Sequence, residues 1–164
     1  VSGKVLVAGI GNIFLGDDGF GVEVVRHMVQ RKLPADICVK DFGIRGFDLA
    51  CALIEPWEVI ILADAASRGA APGSVYVMEI DSSSHSDDGS VLNAHGLHPA
   101  SAINLARTLG NITARLVLVA CEPGDFGGDE GRMGLSAAVE TAVESAITTI
   151  EQIAYKTFVQ GVHA

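Results

Sequence analysis

Two adjacent carboxylates, Asp17 and Asp18, a third at Asp64, and two histidines, His95 and His98, are the residues whose types and spacing point to chemistry. Aspartate oxygens and imidazole nitrogens together suit a hard or borderline divalent cation, and imidazole favours zinc, nickel or copper over magnesium. These groups lie far apart in the chain, so they act together only if the fold gathers them. The acidic pair closes a loop reading VLVAGIGNIFLGDD over residues 5–18. That loop resembles a phosphate-binding turn but lacks its key residues. A dinucleotide loop needs glycine at position 14, where Phe14 stands, and a P-loop needs Gly-Lys-Ser/Thr where this chain has Gly16-Asp17-Asp18. Carboxylates at a helix start repel a docked phosphate and attract a cation. Spacing alone leaves plainer readings open, since aspartates at helix starts serve as caps and loop histidines are commonly solvated.

The elements that must position these groups follow from the hydrophobic pattern. Residues 5–10 form a continuous apolar run before a glycine turn, as expected of a strand covered on both faces. Val22, Val25 and Val29 recur at helical spacing, which predicts a helix over 18–31 with Asp17 as its cap. A short strand is predicted at 37–41, a helix at 47–54 that stops before Pro56, and a strand at 59–63 with Asp64 just past its end. Pro72-Gly73 makes a turn into a further strand around Val75 and Val77. The polar stretch 81–93 reads as a mobile surface loop. Pro99 opens a helix that Gly110 closes, 115–120 is a buried strand, and 139–153 forms a long amphipathic helix.

Strands alternating with helices make a three-layer α/β domain with a largely parallel sheet. Ligands of such sheets bind beyond the carboxyl ends of the strands, where neighbouring strands send their connections in opposite directions. If the first and third strands are neighbours, Asp17 or Asp18 meets Asp64 at that crevice, with a nitrogen from His95 or His98.

Composition narrows the partners. The 164 residues are expected to form one domain, 1–164, with 49% hydrophobic residues to build a core. A formal charge of −9 disfavours nucleic acid and anionic membranes. No apolar run is long enough to span a bilayer, and the opening residues lack the pattern of a signal peptide, so a cytoplasmic location is expected. Cys38, Cys51 and Cys121 form no C-x-x-C pair and are read as buried free thiols. Cys121 ends a core strand and has no activating base nearby in the sequence, which favours a buried thiol over a nucleophile. No coiled-coil pattern demands a second copy, so a monomer is expected.

Taken together, these residues resemble the nickel–iron hydrogenase maturation endopeptidases. The matching set is Gly9-Ile10-Gly11-Asn12, Asp17-Asp18-Gly19-Phe20-Gly21, Ala63-Asp64-Ala65, Ala71-Pro72-Gly73, the histidine of AHGLHP, Cys121-Glu122-Pro123 and Gly134-Leu135-Ser136, in the family's order over nearly the whole chain. The resemblance implies a three-layer α/β/α sandwich with a five-stranded, mostly parallel mixed sheet, order 2-1-3-5-4, strand 4 antiparallel. It also implies an activity, removal of the C-terminal extension of a hydrogenase large-subunit precursor after nickel insertion. Carried over by position, Asp18, Asp64 and His95 are the metal-binding and catalytic residues, Asp18 standing where many relatives carry Glu. The resemblance implies that the metal is nickel, supplied by the precursor or held by the enzyme, with zinc or cadmium able to stand in. The segment DFGIRGFDL, 41–49, departs from the family at Phe42 and Ile44, and the resemblance assigns it to substrate recognition. Two other readings are a nickel-binding chaperone or sensor without proteolysis, and a peptidyl-tRNA hydrolase, which the acidic charge and Asp17-Asp18 oppose.

Overall fold

Every residue of the first apolar run is buried, and that run is the spine of the structure. A computed structural model describes residues 4–83 and 98–161. Its strands are β1 (Val5–Ile10), β2 (Ile37–Gly43), β3 (Val59–Ala65), β4 (Val75–Ile80) and β5 (Arg115–Cys121). The helices are α1 (Phe20–Met28), α2 (Gly46–Leu53), α3 (Pro99–Leu109) and α4 (Ala137–Gly161). The sheet runs β2-β1-β3-β5-β4, parallel except for the antiparallel β4–β5 pair. This is the order the family resemblance implies. Among the described residues no helix is long and apolar enough to cross a membrane.

Alternation along the strands divides the interior into two cores. Val5, Val7, Ile61, Val117 and Val119 face one way and pack with Phe20, Val24 and Met28 of α1 and Val143, Ile147 and Ile150 of α4. Leu6, Ala8, Ile60, Leu62 and Leu116 face the other way and pack with Leu49 and Leu53 of α2 and Ile103 and Ala106 of α3. Each fully buried large aliphatic or aromatic side chain contributes roughly 1.5–3 kcal/mol, so the two cores hold the strand ends rigidly where the acids emerge.

β1 pairs with β3 in register, Gly9 opposite Ala63, which brings the loop after β1 beside Asp64. β1 leads to β2 on one side of the pair, while β3 leads to β4 at the far edge, so the two exits diverge and leave a crevice. Gly21 makes the close approach possible. A Cβ there would lie 1.9 Å from the carbonyl oxygen of Ala63 and 2.5 Å from that of Ile10.

Several expectations need correction. The helix predicted over 18–31 begins at Phe20 and ends at Met28, and Gly16–Gly19 form a 3-10 turn before it. Asp17 makes no capping hydrogen bond to either element. β3 runs on to Ala65, which places Asp64 inside the strand end. All three thiols are free, but only Cys121 is buried; Cys38 is exposed because β2 is an edge strand. Of the loop predicted over 81–93, residues from 84 onward lie outside the described residues, as does His95.

Candidate active site

The glycine loop brings Asp18 to the crevice through its backbone. Gly11 has φ +136°, and a Cβ there would sit 1.8 Å from the carbonyl oxygen of Asp18, so the loop folds directly onto the 3-10 turn. The Asn12 N–H donates to Asp18 Oδ2 at 2.8 Å, while Asn12 Oδ1 accepts from the Phe14 N–H at 2.9 Å. Asn12 thus pins the loop from both sides, with its backbone on Asp18 and its side chain on Phe14.

Asp64 lies across the crevice. Asp18 and Asp64 are each 6% exposed. Asp64 Oδ1 accepts from the N–H of Ala65 at 2.9 Å. Burial, and then the negative charge of Asp18, push the Asp64 carboxyl well above the usual carboxylate range. Two predicted site residues are therefore together, close enough for one charge to disfavour the other. A divalent cation held by these carboxylates would relieve both the burial cost and the repulsion, and the oxygen donors fit a hard or borderline metal. Among the described residues there is no group of three or more metal-binding side chains, and the third predicted donor, His95, lies outside them.

His98, the rival nitrogen donor, is engaged otherwise. It is the N-cap of α3, with Nδ1 accepting from the Ala100 N–H at 3.0 Å and Pro99 in the first turn. Burial lowers its pKa, so the neutral ring is favoured, with its proton on Nε2. His98 and Asp64 nonetheless line the same cleft of about 300 Å³ between β4 and α3.

The crevice rim is fixed by partly buried polar contacts. Glu122, 5% exposed, accepts from the Arg68 N–H at 2.8 Å, and the Tyr76 hydroxyl donates to Ala66 O at 2.9 Å. These bonds hold the segment after β3 against the end of β5. Cys121 is fully buried, and burial and the nearby Asp17 charge raise its pKa to about 11, which removes it as a nucleophile.

Asp17 is the residue sequence reasoning misread. Fully buried, its Oδ2 accepts from the N–H groups of Gly124 (2.8 Å) and Asp125 (2.9 Å) and from Ser136 Oγ (2.8 Å), while Oδ1 accepts from Ser136 N–H (2.6 Å). Burial opposes its ionisation, but these four bonds outweigh that cost and hold its pKa below the ordinary value. The Asp17 carboxylate is a clamp between the acidic turn and the segment leading to α4. A clue in the sequence was the carboxylate beside a polar loop end, but nothing local names partners more than 100 residues away.

Known proteins similar in sequence and in fold agree on one family. The family model described as hydrogenase maturation protease matches residues 22–153, a stretch that contains Asp64 and His95 and begins just after Asp18. A putative hydrogenase maturation protease of Methanocaldococcus jannaschii is 31% identical over 147 residues, 89% of this chain and 93% of that protein. The hydrogenase expression/formation protein HupD of Rhodobacter capsulatus is 30% identical over 148 residues, covering 88% of this chain and 70% of its own length. The structure of the hydrogenase maturating endopeptidase HybD from E. coli superposes with a TM-score of 0.77 at 27% identity, covering 94% of this chain and 93% of that one.

Proposed function

The chain belongs to the hydrogenase maturation protease family, and from that premise we propose that it is the endopeptidase that removes the C-terminal extension of a nickel–iron hydrogenase large-subunit precursor once nickel is in place. Asp18, Asp64 and His95 recognise the nickel carried by the precursor. The observation that carries this reading is the buried pair Asp18 and Asp64, whose mutual repulsion a bound cation removes. An apo-precursor presents no cation to that pair, which makes processing conditional on completed metal insertion.

Hydrolysis of a peptide bond needs a polarised carbonyl, an attacking water and a protonated leaving amine. The precursor's nickel supplies Lewis acidity at the site. Asp18, held by the Asn12 N–H, keeps a fixed carboxylate toward the crevice. Asp64, across the crevice from Asp18, is the carboxylate placed to act as general base, taking a proton from water and returning it to the amine. Glu122 and Tyr76 hold the crevice wall beside it.

The test is mass spectrometry of nickel-loaded precursor incubated with the protein and with Asp18→Ala, Asp64→Ala and His95→Ala. Loss of a C-terminal peptide with the wild type, and not with any variant, is the expected result. An unchanged precursor mass with the wild type would leave a nickel-binding role without cleavage.

A further inference from the structure

We propose that Phe14, Met133 and the cleft beside Phe14 form a docking rim that takes apolar side chains from the surface of the hydrogenase precursor. The inference rests on the function proposed above and adds how the protein substrate is held away from the scissile bond.

Phe14 and Met133 are 61% and 64% exposed, although both stand on tightly fixed backbone. The Arg132 N–H donates to Phe14 O at 2.9 Å, the Gly16 N–H donates to Arg132 O at 2.7 Å, and Leu15 and Arg132 form a parallel bridge. The Asp17 N–H donates to Asp125 O at 2.8 Å, and the Asp17 carboxylate clamps both ends of the 124–136 segment. Neither side chain is exposed because its loop is loose. Large apolar groups held out on a rigid frame mark a surface built to be covered.

Position selects the occupant. Asn12 joins the rim to the site, because its side chain accepts from Phe14 N–H while its own N–H holds Asp18. A protein substrate bound at Asp18 therefore lies within reach of this rim, which makes the precursor the fitting partner. Between Phe14 and Ile44, itself 59% exposed, a cleft of about 180 Å³ opens with Ile13 and Val22 among its walls. Arg26, Asp41 and Asn12 also line it, so the cleft suits one large side chain with an apolar body and a polar or solvated end. Beside Met133, the Arg132 guanidinium pairs with Asp125 of the same segment, so that cation is already engaged.

The experiment measures steady-state cleavage of nickel-loaded precursor by wild type, Phe14→Ser, Met133→Ser and the double variant. Val159→Ser, exposed at the far end of α4, serves as control. Each rim substitution should raise KM about tenfold, the scale of losing one well-packed contact, with kcat within about twofold. Phe14→Leu and Met133→Leu should recover most of the loss, and melting temperatures should match the wild type because no core contact is removed. Wild-type KM in the double variant would overturn the rim while leaving the endopeptidase reading intact. Absence of cleavage by the wild type would instead overturn that reading. Rim substitutions that dissolve a dimer of this chain while KM stays fixed would assign the surface to self-association and overturn the proposal.

Discussion

Replacing Asp17 by asparagine separates the charge of the clamp from its shape. If the amide oxygen takes the place of Oδ2, the bonds from Gly124, Asp125 and Ser136 Oγ survive as neutral ones, and the NH2 group then faces the Ser136 N–H, donor against donor. Charge-assisted bonds are about twice as strong as neutral ones, so each survivor weakens by roughly 0.5–1 kcal/mol. The stranded Ser136 N–H adds about 1 kcal/mol, the low end for a buried orphan, because Ser136 is half-buried and water can reach it. The sum is about 3 kcal/mol, which for a chain of this length lowers Tm by roughly 6–12 °C. Calorimetry at neutral pH measures it. The pH dependence supplies a second reading. A carboxyl whose folded pKa is depressed stabilises the protein above its ordinary value of 3.8, and that contribution is lost as pH falls through the lower folded value. Wild type and Asp17→Asn should therefore converge in strong acid. A Tm within about 2 °C of wild type at neutral pH would refute the clamp.

Asp64→Asn should abolish processing yet stabilise the metal-free protein, because burial and Asp18 raise the folded pKa of Asp64. The wild type loses stability as pH rises through that raised value, so denaturant titrations at pH 5 and pH 8 should show the variant's advantage growing with pH; a variant less stable at pH 8 contradicts the charge repulsion. His98→Ala removes the cap of α3 and should cost about 1 kcal/mol while processing continues. Lost processing in a folded His98→Ala protein would move the metal-binding role from His95 to His98. Alkylation of the native protein should modify exposed Cys38, spare Cys121 and leave processing unchanged; inactivation in step with Cys121 modification would reinstate a thiol mechanism.

The alternation of apolar strands with amphipathic helices made the layers legible, because both faces of β1 and β3 had to be covered. The strand order was not in that pattern; it came with the family resemblance, since a hydrophobic period says which face is buried and not which strand lies alongside. Asp18 and Asp64 were legible because helix starts and strand ends of a parallel sheet meet at one edge. Asp17 was misread as a cap because a local rule assigns a local partner, whereas its donors come from Gly124, Asp125 and Ser136. Cys38 was placed inside on the strength of its neighbours, but an edge strand turns part of its length outward. The exposure of Phe14 looked in sequence like a defect in a glycine motif, and only the fold shows what surrounds it.

Synthesis order gives the Asp17 clamp one more consequence. A nascent chain that has left the ribosome only as far as β4 already carries both aspartates of the turn and Asp64, yet none of the donors supplied by Gly124, Asp125 and Ser136. The acidic turn is therefore unlocked until translation has passed residue 136, and a truncated product would hold its acids without holding them in place.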